Sequence, residues 1–172
     1  MRVQDKVALI TGGNAGIGLA TARLLVAEGA KVAITGRNRE TLDAAARELG
    51  DAVLALQADA ADAAAMEHAA AQAAERFGKL DIVFANAGIG GVTPLGQTAF
   101  EQFEQILRVN LTGVFFTVQA ALPHLRDGAS IILTSSTIGW AMARSSTCSA
   151  TVSISRTCSR SARACSPCTS PS

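Results

Sequence analysis

The residues best placed to do chemistry are glycines. Thr11-Gly12-Gly13-Asn14-Ala15-Gly16-Ile17-Gly18 sets three of them at Gly-x3-Gly-x-Gly spacing between a short apolar run and an amphipathic segment. Where a strand turns into a helix, glycines let the backbone approach a ligand closely. The helix amino end then offers unpaired N–H groups and a positive dipole, a combination suited to a dinucleotide pyrophosphate. Gly12, Asn14, Gly16, Ile17 and Gly18 are therefore candidate cofactor-binding residues, with an ordinary tight turn as the plainer alternative. A second candidate is Thr35-Gly36-Arg37-Asn38-Arg39, which carries no carboxylate. An acidic side chain there would bind the adenosine ribose hydroxyls of NAD, whereas a basic one offsets the extra phosphate of NADP. Arg37 is the expected clamp and Arg39 its assistant, which favours NADP(H) and leaves NAD(H) open; the alternative is a pair of solvated loop arginines. Cys165 and Cys168, with Cys148 and Cys158, have a spacing that suits tetrahedral metal, but the segment around them supplies no packed shell, so no metal site is expected. His68 and His124 have no second ligand at useful spacing and read as structural residues.

These residues need a scaffold that brings strand ends together. From residue 6 the pattern alternates a short apolar run, a glycine-bearing turn and a longer amphipathic segment, which is the signature of βαβ units. Strands are expected at 7–11, 32–35, 53–57, 82–85 and 131–134, and helices at 17–28, 39–49, 61–77, 100–107 and 111–125. In the first helix, Ile17, Ala20, Thr21, Leu24 and Leu25 are expected to form the buried face. Right-handed crossovers force such a series into an α/β, Rossmann-like, doubly wound parallel sheet. Ligands are expected at the carboxyl ends of the strands, where the strand order reverses.

The glycine spacing resembles the Thr-Gly-x3-Gly-x-Gly motif of the short-chain dehydrogenase/reductase family, and further matches follow in that family's order. Asp59 comes after the third strand, where the family's aspartate contacts the adenine. Asn86-Ala87-Gly88 follows the fourth and resembles the Asn-Ala-Gly turn that steadies the sheet beside the cofactor. Asn110, in Val109-Asn110-Leu111-Thr112-Gly113, matches the helix asparagine of the catalytic set, and Ser136, three residues before Gly139, matches the catalytic serine. Taken singly, Asp59 would serve as a helix cap, Asn86 as a turn former, Asn110 as an exposed helix residue and Ser136 as a strand-end hydroxyl.

The resemblance implies hydride transfer between a nicotinamide and a small carbonyl or alcohol. In the family a tyrosine moves the proton, a nearby lysine ammonium lowers its pKa, serine orients the substrate oxygen and asparagine holds a water. This sequence has no tyrosine, and its last lysine is Lys79. At the tyrosine's place stands Cys148, with Val152 at the lysine's. Cys148 is too short, and lacks a lysine or histidine placed to lower its pKa. Trp140 and Met142 are weaker candidates for lining a substrate pocket.

The expectation is a family member whose cofactor-binding part is intact and whose sheet is incomplete at the C-terminal end, inactive alone. The alternatives are a non-catalytic NADP(H)-binding module and an unstable product with exposed apolar sheet surface.

Composition supports that division. The chain has 172 residues, 49% of them hydrophobic, and a net charge of +1. Length suggests one domain able to bury a core, and the even charge speaks against nucleic acid or anionic lipid as partners. No membrane span and no leader segment are expected, so the cytoplasm is the default location. Yet residues 144–172 hold all four cysteines, ten serines, four arginines and four threonines, and no Asp, Glu, Lys or Gly. That segment carries +4, leaving −3 for residues 1–143. The division is thus a dinucleotide-binding domain over 1–143 and a Ser/Arg/Cys-rich tail, read as disordered, over 144–172. Out-of-frame reading of GC-rich DNA gives such a composition, so a frameshift is one origin for it. A homo-oligomer is expected for the intact family.

Overall fold

The computed structural model describes residues 2–91, 96–136 and 150–155. Five parallel strands form its centre: β1 (Val7–Thr11), β2 (Lys31–Gly36), β3 (Val53–Gln57), β4 (Leu80–Ala85) and β5 (Leu125–Ser136). A sixth, β6 (Ala150–Ser155), runs antiparallel along β5, and the order across the sheet is β3-β2-β1-β4-β5-β6. Strand order therefore reverses beside β1, between β2 on one side and β4 on the other. All five residues of β1 are buried, as a central strand covered on both faces requires.

Helices cover both faces. One layer packs Met66, Ala69, Ala70 and Ala73 of α3 (Ala63–Phe77), with Ala120 and Ala121 of α5 (Gly113–Ala121), against Leu9, Leu80 and Val83. The other packs Ala22 of α1 (Gly16–Ala27) and Leu42 and Ala45 of α2 (Arg39–Leu49) against Ile10, Val32, Ile34 and Phe84. Asn38 and Asp62 cap α2 and α3 by accepting from the amides of Thr41 and Ala65, and glycines follow both helices with positive φ.

The structure corrects the sequence expectation for α1. Ile17 and Leu24 are exposed, and the helix instead turns Gly18 and Ala22 inward. The helix is apolar almost all round, so periodicity alone is a poor guide; the small residues allow the closest approach to the sheet. The expected helix over 111–125 also resolves differently. After α4 (Phe100–Leu107) the backbone widens into a π-turn at Arg108–Thr112, continues as α5, and ends in a 3-10 turn at Leu122–His124. These helical pieces run without a break for 25 residues, long and apolar enough by composition to cross a membrane. Packing of α5 on the sheet makes its inner face part of the core layer instead.

Strand β5 starts at Leu125 rather than at residue 131, because its register against β4 jumps from the Leu80–Leu125 pair to Ile82–Ser130. The polar stretch Arg126-Asp127-Gly128, with Gly128 at φ 82°, fills that jump, which is why it does not look like a strand in sequence. Residues 150–155 also depart from the disorder expected of 144–172. Ala-Thr-Val-Ser-Ile-Ser alternates with a period of two and is rich in β-branched residues, a pattern concealed by its weak hydrophobicity. The other residues of that segment, the four cysteines among them, lie outside the described residues, as do Trp140 and Met142.

Candidate functional site

Above the carboxyl ends of β1 to β4 opens a cleft of about 240 Å³, at the point where strand order reverses. Its walls come from four successive strand ends: Gly12 and Asn14 after β1, Thr35 to Asn38 at β2, Ala58 to Ala60 after β3, and Ala87 to Ile89 after β4, closed by Val109 of the π-turn. Among the residues expected to bind cofactor, Gly12, Asn14, Arg37, Asp59, Ala87 and Gly88 line this cleft. Gly16, Ile17 and Gly18 form the first turn of α1 beside it, and Asn86 stands behind the wall as a strut.

Three glycines of this loop are required by close approach, Gly13 among them because a Cβ there would lie 2.6 Å from the Ile34 side chain. A Cβ on Gly18 would lie 2.2 Å from the Gly12 carbonyl oxygen, and one on Gly12, whose φ is +66°, would lie 3.1 Å from the Ala87 Cα. Gly16 differs: its φ is +53°, but a Cβ there would meet nothing within 4 Å. The loop therefore packs tightly against β2 and the end of β4 and is open around Gly16. That is the form of a backbone cradle for a ligand that needs N–H groups rather than side chains.

Thr11, at the end of β1, ties this loop to the opposite wall. Its side-chain oxygen, in a residue only 1% exposed, accepts from the backbone amides of Asn86 and Ala87, each at 3.0 Å. The Asn86 carboxamide donates to the Thr11 carbonyl at 3.2 Å and accepts from the Thr134 hydroxyl at 3.3 Å. One asparagine thus holds β1, β4 and β5 together at their carboxyl ends. The sequence reading missed Thr11 and Thr134 as partners; the only signal was a hydroxyl at the end of an otherwise apolar run.

Asp59 lines the cleft and also accepts from the Ala61 amide at 2.9 Å, so it shapes the turn into α3 as well as facing the cleft. Asn110 sits in the π-turn, where its carboxamide accepts from the Ile89 amide and donates to the Ile89 carbonyl, both at 2.8 Å. This pins the loop after β4 and leaves one N–H and one lone pair on the side chain for another partner, such as water. Ser136 ends β5, three residues past Leu133, the register partner of Ala85. It therefore lies at the same end of the sheet as Gly88. Arg37 makes no ion pair among the described residues, while its backbone carbonyl accepts from the Gln57 carboxamide at 3.0 Å. Among the described residues no cluster of His, Cys, Asp or Glu could hold a metal ion, and His68 pairs with Gln72 on the exposed side of α3.

Residues 6–153 match the family model of the short chain dehydrogenases. Oxidoreductase asL5 of Sarocladium schorii is 44% identical over 140 residues, which are 80% of this chain and 56% of that one. The NADP-dependent (R)-specific alcohol dehydrogenase of Lentilactobacillus kefiri is 40% identical over 144 residues, 81% of this chain and 57% of its own. Among solved structures, 3-ketoacyl-(acyl-carrier-protein) reductase from Brucella melitensis, complexed with NADH, is 38% identical. It superposes with a TM-score of 0.69, covering 71% of this chain and 51% of that one. The chain spans about half the length of the relatives it matches.

Proposed function

This chain belongs to the short-chain dehydrogenase family, and from that premise we propose that its cleft binds NADP(H) for hydride transfer to or from a small carbonyl or alcohol. The carrying observation is the glycine cradle, which backbone close approach keeps free of side chains, set beside an Arg37 that lines the same cleft from a segment, residues 35–39, holding no carboxylate. Those residues fit a dinucleotide: Gly12, Gly16, Ile17 and Gly18 at the pyrophosphate, Asp59 at the adenine, Arg37 at the ribose phosphate, and Asn86, Ala87 and Gly88 along the β4 wall. Asn14 keeps the glycine loop and the Arg37 loop in contact. When bound, the nicotinamide supplies or accepts the hydride. Ser136 is assigned to orienting the substrate oxygen, and Asn110 to holding the β4 loop and a water.

With no tyrosine in the chain and no lysine after Lys79, the proton step that the family gives to a tyrosine and lysine has no donor in these residues. The chain by itself is therefore assigned binding without turnover, a reading that also accommodates a non-catalytic NADP(H)-binding module. Titration of the full chain with NADPH, followed by nucleotide fluorescence, is expected to saturate; a monodisperse sample with no saturable binding overturns the assignment. A panel of small carbonyls with NADPH is expected to show no turnover, and measurable turnover would restore a catalytic role to the residues beyond Ser136. The homo-oligomer that the resemblance implies has a face available. Phe100, Phe103, Leu107, Leu111, Phe115 and Leu122 follow one another at helical spacing, each at least 41% exposed.

A further inference from the structure

The loop that carries Arg37 is held by three ties. The Ala58 amide donates to the Gly36 carbonyl at 3.0 Å, and the Gln57 carboxamide donates to the Arg37 carbonyl at 3.0 Å, which fixes the loop to the end of β3. The third tie runs through Thr41 in the first turn of α2. Its hydroxyl donates to the Asn38 carbonyl at 3.1 Å and accepts from the Asn14 carboxamide at 2.8 Å, while its amide donates to the Asn38 side chain at 3.1 Å. Asn14 belongs to the glycine loop and lies directly over Gly36, where a Cβ would come 2.6 Å from its side-chain oxygen. One hydroxyl therefore joins the loop proposed to hold the pyrophosphate to the loop proposed to read the ribose. A guanidinium on a long, exposed side chain loses rotamer freedom when it pairs with a phosphate. That loss is smaller when its backbone is already in place.

We propose that Thr41, through its hydrogen bonds with Asn14 and Asn38, is a positioning residue for nucleotide choice, holding Arg37 at the distance from the glycine loop that a 2′-phosphorylated adenosine requires. This rests on the reading that the cleft takes NADP(H). A nucleotide lacking that phosphate makes no use of Arg37, so loosening the loop weakens NADPH and leaves NADH nearly unaffected. The selective effect separates positioning from general support of the fold.

The test measures dissociation constants of the full chain for NADPH and NADH in the wild type and in Thr41→Val, Thr41→Ser, Gln57→Ala and Arg37→Ala. Thr41 and Gln57 are both exposed, and melting curves accompany each variant. T41V is expected to weaken NADPH five- to tenfold and NADH less than twofold, and T41S to restore NADPH to within twofold of wild type. Q57A, which frees the same loop from the other side, is expected to move in the same direction as T41V. In an R37A background, T41V is expected to change neither constant by more than twofold, since the two act through one contact. Equal weakening of both nucleotides by T41V and Q57A, or full additivity with R37A, overturns the positioning role. If R37A abolishes a wild-type preference for NADPH while T41V and Q57A change nothing, the inference falls and the NADP(H) reading stands. A wild type that does not prefer NADPH overturns both.

Discussion

The hardest constraint in the site acts on a single hydrogen. Replacing Gly18 with alanine drives a methyl group into the Gly12 carbonyl, a backbone atom that can move only if the loop moves with it. Gly18→Ala is expected to destabilise by about 3 kcal/mol, the upper end for overpacking, and to abolish NADPH binding. Gly16→Ala meets no neighbour and has only its left-handed backbone to pay for, so about 1 kcal/mol is expected from urea midpoints. Equal losses for the two variants would mean that the loop lacks the tight and open sides described. Thr11→Val keeps the shape of the side chain but leaves the Asn86 and Ala87 amides without their acceptor. A loss of about 2 kcal/mol is expected, with the β4 wall loosened and nucleotide binding weakened alongside. At this scale the site was partly legible: Gly12, Asn14, Arg37, Asp59, Ala87 and Gly88 are brought together as their order along the chain suggested. Thr11 was not legible as a strut, because its partners stand 75 and 76 residues away and only strand register brings them near.

At the scale of elements, the opposite end of the sheet is secured by Asp81 at the start of β4. Its carboxylate accepts from the Lys6 ammonium at 2.8 Å and the Val7 amide at 3.1 Å, and Arg126 at the start of β5 lies 3.3 Å away. Burial works against the charge, but the Lys6 and Val7 hydrogen bonds and the two cations together outweigh it and hold the carboxyl below its ordinary value. A folded-state pKa below the unfolded one gives stability that is fully present above the unfolded value, about 3.9, and is lost as pH falls from there through the folded value. The wild type is thus expected to lose more stability than Asp81→Asn as pH falls below about 4, as read from urea midpoints at successive pH values. A difference between the two that stays constant with pH would remove Asp81 from the acid response. Regular elements were the most legible in sequence: β1, α2, β3 and α4 have the bounds that periodicity and turn residues suggested. The departures share a cause. The bulge in β5, the π-turn under Asn110 and the inward face of α1 are set by what packs against them, and local propensity carries no record of that.

For the whole molecule, the exposed row from Phe100 to Leu122 lies on the outside of the same continuous helix whose inner side packs in the α3 layer. Such a row of large apolar side chains favours self-association. The double variant Leu111→Glu/Phe115→Glu is expected to shift a concentration-dependent size-exclusion profile toward the monomer while NADPH binding persists; an unchanged profile would exclude this face. The cleft has a different dependence on the assembled molecule, because its two walls lie far apart in the sequence. Gly12 and Asn14 form one side, and the Asn86 strut, Ile89 and Val109, much later in sequence, complete the enclosure. The site proposed for the dinucleotide is therefore complete only when β1 and β4 lie side by side. A nucleotide bound there would stabilise that docked form by mass action, so on the proposed reading NADPH is expected to raise the melting temperature of the full chain.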